Sequence, residues 1–141
     1  MGFTIYANGA ATSFDGGMGG FMSLRINIAL AFDSELGEHY SKLPYCLYEE
    51  DYKAFDAKTE KILSHKRFEQ EDEDIIDFLF ASDCGGAISH RTCKKIYDLI
   101  KNIDFGNDIF TYSAYSDGKD YERLKAFLLD CYKHRRKLRW R

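Results

Sequence analysis

The stretch Gly2-Phe3-Thr4-Ile5-Tyr6-Ala7 alternates apolar residues with small or polar ones and is rich in β-branched and aromatic types, the pattern of a strand with one buried face. At the far end of the 141-residue chain, Leu138-Arg139-Trp140 alternates in the same way. The longer segments between them are helical in period, so each stretch is the other's natural partner. Pairing them ties both ends into one small sheet and buries Leu138 or Trp140 against the helices. The expected fold is therefore α+β, mainly α: about five helices packed on a small antiparallel sheet that includes both chain termini. One domain accounts for residues 1–141, with no repeat or linker to divide it.

Working inward from the N-terminal strand, residues 8–20 hold five glycines, so this backbone bends cheaply and is costly to order; it reads as a connector. Helical spacing begins with Phe21, Leu24, Ile28 and Phe32 and stops within residues 33–37. A short helix is expected over residues 39–43, with Pro44 marking a turn. Tyr48, Tyr52, Phe55, Thr59, Ile62 and Leu63 fall on one face of the next helix. The acidic run 69–74 suits the positive end of a helix and leads at once into the apolar block Ile75 to Phe80. Paired glycines make residues 82–89 a tight loop in which Ser89 caps the following helix, whose stripe is Cys93, Ile96, Ile100 and Ile103. Residues 104–117 read as loop or short extended structure. The final helix begins near Gly118, carries Tyr121, Leu124, Leu128 and Cys131 on one face, and ends in a basic cluster that complements its dipole.

Composition narrows the function. Twenty basic residues against 23 acidic ones leave a net charge of −3, so no whole-molecule field recruits long nucleic acid or an anionic membrane. No apolar run is long enough to span a bilayer and the N-terminus lacks a signal peptide's pattern, which points to a soluble, cytoplasmic protein. Four scattered cysteines fit reduced thiols rather than a disulfide framework. Aromatic residues reach 16%. They serve either as bulky core material or as a face in which Tyr and Arg alternate to stack and bind.

Candidate chemistry is sparse. A glycine-rich turn feeding a helix exposes amides that can hold a phosphate or carboxylate, and Gly17, Gly19, Gly20 and Arg25 are the residues placed to do so. Their spacing matches neither the dinucleotide fingerprint nor the P-loop, which also needs a Lys-Ser/Thr pair. Asp83 to Ser89 imitates half a calcium loop, but Ala81, Gly85 and Thr92 fall at ligand positions, and Asp83 is better used to bond nearby amides. Cys84, His90 and Cys93 lie within ten residues, yet no Cys-x-x-Cys or His-x-x-x-His frames a zinc site, so no metal and no cofactor is assigned. Cys93 and Cys131 read as small buried hydrophobes. Catalysis by Cys84, Asp83 and a histidine lacks any framing motif. The basic tail at 133–141, including Arg136 and Arg139, is the one concentrated positive charge, with Tyr112, Tyr115, Tyr132 and Trp140 as stacking surfaces.

The motif Ser82-Asp83-Cys84-x-Gly86-x-Ile88-Ser89 followed by Cys93, with Gly19-Gly20-Phe21-x-x-Leu24-Arg25 and Ile28, resembles a loose set of small phage and prophage accessory proteins. That pattern commonly carries an acidic residue where this chain has Gly85. No catalytic residue carries over. The resemblance implies a protein that counters host defence by covering a protein surface or sequestering a nucleotide signal, in the host cytoplasm. The leading expectation is a non-enzymatic binding module, with Arg25 and the glycine amides taking an anion and Tyr112, Tyr115, Arg136 and Arg139 supplying stacking and charge. The alternatives are an oligomeric protein–protein adaptor built from surplus Tyr and Phe, and a small hydrolase or nuclease using Asp83 and His90.

Overall fold

The structure is a computed structural model that describes residues 2–66, 68–112 and 117–141. Strand β1 (Gly2–Tyr6) turns at Asn8 and Gly9 into β2 (Phe14–Gly17), which runs directly into helix α1 (Met18–Phe32). Then come α2 (Ser34–Tyr40), α3 (Glu49–Lys66), α4 (Glu73–Phe80), β3 (Gly86–Ile88), α5 (His90–Ile100), α6 (Asp120–Lys133) and β4 (Leu138–Trp140). The four strands form one antiparallel sheet in the order β2-β1-β4-β3. As expected, the two end strands pair: Ile5 faces Trp140 and Tyr6 faces Arg139.

Two strands depart from the sequence reading. The glycine-rich run contributes β2, because Phe14 and Gly16 alternate inward and pair with β1. The loop expected at residues 82–89 contributes β3, whose register places Ile88 opposite Leu138 and Gly86 opposite Trp140. Propensity disfavours glycine in strands, but a neighbour that needs bare backbone overrides it. At Gly86 a Cβ would sit 2.3 Å from the Trp140 ring, and at Gly16 it would sit 2.3 Å from the Phe110 carbonyl oxygen.

The helices follow their caps. Asp33 accepts from Leu36 N at 2.9 Å and so starts α2 at Ser34, ahead of the expected 39–43. Glu69 and Asp72 form a reciprocal capping box ahead of α4. Ser89 Oγ accepts from Thr92 N at 3.2 Å, as the sequence indicated. Helix α6 closes with Arg135 N donating to Tyr132 O and Arg136 N to Cys131 O. This is the paired C-terminal motif in which glycine usually occupies the left-handed position. Here Arg135 occupies it at φ 53°, a conformation that costs a non-glycine residue about 1 kcal/mol or more.

The inner face of the sheet carries Phe3, Ile5, Phe14, Leu138 and Trp140, all buried against helices. Trp140 lies between Phe21 (centroids 5.9 Å apart) and Phe78 (5.4 Å), while Phe14 meets Phe127 edge-on at 5.5 Å. Each such ring contributes roughly 1.5–3 kcal/mol through the area it removes from water. The aromatic surplus thus divides by type. Phenylalanines fill the core, whereas Tyr45, Tyr48, Tyr52 and Tyr112 stay exposed. Tyr48 and Tyr52, expected on the buried face of α3, point outward, and only Phe55, Thr59 and Ile62 of that helix are buried. Tyr40 and Tyr121 are buried with their hydroxyls engaged, by Leu79 O at 2.6 Å and Asn27 Nδ2 at 2.7 Å.

Candidate functional site

The glycine–arginine pairing expected at the start of α1 does not assemble. Gly17 is the N-cap and Gly19 and Gly20 lie in the first turn. Arg25 is 3% exposed and spends its guanidinium elsewhere: Nη2 donates to Ala81 O at 2.8 Å, and the group stacks over Phe21 at 4.5 Å. Trp140 Nε1 donates to Ser82 O at 2.8 Å. Arg25 and Trp140 therefore fasten consecutive carbonyls and fix the approach to β3. Burial pulls the Arg25 pKa below its ordinary value, opposed by Tyr40 and Asp83; a guanidinium remains charged even so. The cue was available in the spacing, since position 25 follows Phe21 by four and precedes Ile28 by three, on the buried stripe. Arg25 belongs to the core rather than to a ligand.

The remaining predicted residues separate into three roles. Arg136 is ion-paired with Asp130 at 3.2 Å and lies against the Gly9 turn, clasping the β1–β2 hairpin to α6. Tyr115 falls outside the described residues. Tyr112 and Arg139 flank a different surface, the outer face of the sheet. Tyr112 N donates to Asp15 O at 3.3 Å along the edge of β2, and its side chain is 56% exposed with the hydroxyl beside Gly2.

Alternation along the strands sends Thr4 and Tyr6 of β1, Asp15 of β2, Ala87 of β3 and Arg139 of β4 to this outer face. Asp15, Ala87 and the adjoining Arg141 are exposed, and Thr4, Tyr6 and Arg139 are half-buried. Tyr6 is directly opposite Arg139, and the Arg141 guanidinium lies 4.8 Å over the Tyr6 ring. The nearest acid of the face, Asp15, accepts from the Thr4 hydroxyl at 2.7 Å. Among the described residues neither Arg139 nor Arg141 has a carboxylate partner. A phenol, a stacked guanidinium and a second guanidinium thus stand on adjacent, hydrogen-bonded strands. Arg141 belongs to the basic tail that the sequence already singled out, but Tyr6 was read only as strand material, because its neighbour across the sheet lies over 130 positions away.

Two depressions adjoin this framework. A cleft of about 790 Å³ runs between β2, residues 111–112 and α6, lined by Phe14, Phe127, Asp15, Asp120, Arg123 and Asp130 among others. It is acidic in balance: Arg123 pairs with Asp117 at 2.7 Å, and Asp120 accepts from the amides of Phe110 and Thr111 at 3.2 and 3.1 Å. A second groove, about 640 Å³, lies where α5 begins and α6 ends and is lined by His90, Arg91, Tyr132, Lys133 and Arg135.

The thiols and imidazoles are occupied apart from one another. Cys93 and Cys131 are buried neighbours, and the hydrogen bond between them pushes the Cys93 thiol well above its ordinary value. His39 Nε2 shares a buried 2.8 Å hydrogen bond with Thr59 and stacks on Phe55. Cys84 is exposed, with Sγ 3.5 Å from Asp83, and His90 stacks on Tyr132. The turn before β3 is held by Ser82 Oγ, which accepts from Cys84 N at 3.1 Å, rather than by the expected Asp83. Among the described residues no group of three or more His, Cys, Asp or Glu is arranged to hold a metal ion, and no helix is long and apolar enough to cross a membrane.

Comparison with known proteins finds no matching family model, curated protein or solved structure.

Proposed function

We propose that this is a non-enzymatic binding protein that holds an anionic, ring-bearing ligand, a nucleotide, against the open face of its sheet. The observation that carries the reading is the Tyr6–Arg139–Arg141 group: two guanidiniums without acidic partners among the described residues, beside a phenol, on paired backbone. Guanidiniums take phosphate oxygens in pairs, and their planes, like a tyrosine ring, accept a base by stacking. Strand positions fix these groups before a ligand arrives, which reduces the ordering cost of binding. Holding a ligand requires neither nucleophile nor base. The resemblance to phage accessory proteins adds the context of a host signalling nucleotide, sequestered in the cytoplasm.

The test is a panel of linear and cyclic nucleotides followed by thermal unfolding, with the ligand recovered and identified after denaturation. A stabilising nucleotide should be returned intact. Arg139→Ala should weaken its binding by about 1.5–3 kcal/mol, the contribution of a hydrogen bond to a charged group, while barely moving the unliganded Tm. Recovery of a converted nucleotide would replace this reading with catalysis.

A second reading rests on the patch formed by Tyr45, Leu47, Tyr48 and Tyr52, which are 80%, 75%, 71% and 47% exposed. Four large side chains left in water within eight residues suit a protein partner or a second copy. A silent nucleotide panel combined with a mass that rises with concentration in light scattering would favour this adaptor role.

A further inference from the structure

The groove between α5 and α6 has a charge pattern that the sheet face does not explain. It opens beyond the last pair of the β3–β4 ladder, Ile88 with Leu138, where both strands hand over to helices. His90 and Arg91 enter it from the start of α5, and Lys133 and Arg135 from the end of α6. The His90 and Tyr132 rings stack at 6.3 Å as one wall, and Lys94 Nζ lies 5.9 Å over the Tyr132 ring.

These cations are not neutralised. The acid at this end of α6, Asp130, is already engaged by His134 at 3.0 Å and Arg136 at 3.2 Å. Among the described residues the side chains of Arg91, Lys133 and Arg135 have no hydrogen bond or ion pair. The start of α5 carries no acidic residue in its first turn, so the positive end of its dipole adds to the field, and the negative end of α6 beside Lys133 and Arg135 offsets only part of it. Gathering like charges without a counter-charge is unfavourable, and a bound anion would reverse that.

Arg135 supplies an independent indication. It is the one described non-glycine residue in the left-handed region, at a helix-ending position that glycine fills best. Backbone strain of this kind persists where the surroundings use the group it displays. Here the displayed group lines the groove.

We propose that this groove is a second binding site, distinct from the sheet face, for the phosphate group of a phosphorylated ligand. Arg91 and Arg135 provide paired guanidinium donors, Lys133 a point charge, and the His90–Tyr132 wall a surface against which a neighbouring ring can lie. The same chemistry would serve a free phosphorylated metabolite or a nucleic-acid backbone.

Calorimetric titration of the full chain with inorganic pyrophosphate, and separately with a short single-stranded oligonucleotide, distinguishes these sources. Arg135→Gly is the decisive variant, because relief of the left-handed strain should raise Tm by roughly 3 °C while pyrophosphate affinity falls at least tenfold. Arg91→Ala should lose affinity similarly at unchanged Tm, whereas Arg139→Ala should remove any sheet-face binding and leave the component that Arg91 and Arg135 govern, separating this groove from the sheet face. Tighter binding of the oligonucleotide, with affinity falling steeply as salt rises, would assign the polymer as the phosphate source. The proposal is overturned if neither probe binds the unaltered protein, or if, in an Arg139→Ala background that removes the sheet-face contact, pyrophosphate binding survives both Arg135→Gly and Arg91→Ala.

Discussion

Gly19 and Gly20 are adjacent in the first turn of α1, yet replacing each by alanine should move stability in opposite directions. A Cβ on Gly19 meets nothing within 4 Å, whereas one on Gly20 comes 2.2 Å from the Phe110 carbonyl oxygen, well inside the 3.4 Å where ordinary contact begins. That oxygen cannot swing aside as a side chain would. The Phe110 amide is held by Asp120 at 3.2 Å, and its ring packs on Phe14 and Tyr121. Gly19→Ala gains the helix preference of alanine, about 0.5 kcal/mol in a first turn. Gly20→Ala makes the same gain but incurs an overpacking cost of about 1–3 kcal/mol, for a net loss of about 0.5–2.5 kcal/mol. Thermal unfolding followed by circular dichroism and by the single buried tryptophan, Trp140, should show Gly19→Ala raised by roughly 2 °C and Gly20→Ala lowered by roughly 2–8 °C. Equal shifts, or a neutral Gly20→Ala, would refute the seating of residues 110–112 against α1. Loss of nucleotide binding in Gly19→Ala would restore the glycine amides as an anion cradle.

Two further outcomes follow from the buried side of the molecule. Burial works against the Asp74 carboxylate, but hydrogen bonds from Thr92 at 2.8 Å and Lys95 at 3.1 Å outweigh it and hold its pKa below the ordinary value. Its stabilising effect is therefore present above the unfolded aspartate value near 3.9 and is lost as pH falls through the lower folded value. Asp74→Asn should accordingly lie below the unaltered protein in urea midpoint at pH 7 and converge with it on acidification below about pH 4; a constant gap would contradict the assignment. For the thiols, Cys84 is exposed and Cys46 partly so, while Cys93 and Cys131 are fully buried. Titration with a thiol reagent should label the first two in the native state and the second two only in denaturant, and rapid labelling of all four would contradict the packing of α5 on α6.

The sequence carried the local signals well. Ser89 as a cap, the acidic start of α4, the stripe of α5 and the pairing of Gly2–Tyr6 with Leu138–Trp140 are each specified by short-range chemistry that the tertiary structure respects. What stayed hidden depends on distant neighbours. Gly86 is a strand residue because Trp140 lies across it, and Gly16 because the Phe3 ring does. Arg25 appeared to be an anion contact because arginine is usually exposed, but its helical phase puts it beneath the Ala81 carbonyl. Of the candidate site, Arg139 and Tyr112 were recognisable from residue type. Arg141 was likewise legible as part of the basic tail, whereas Tyr6 and the convergence of Arg91 with Arg135 required the sheet and the α5–α6 contact to bring them together.

The placement of β1 and β4 side by side at the centre of the sheet has a consequence for biosynthesis. Strand β1 is made more than 130 residues before its partner β4, so a growing chain can complete the intervening helices and the β1–β2 hairpin but not the ladder that joins β1 to β4 over Phe3 and Ile5. Closing a ladder across so long a loop carries a large entropic cost and is a slow, late event. Until Trp140 docks between Phe21 and Phe78, those apolar surfaces remain open to chaperones and to self-association, so maturation waits on the arrival of β4.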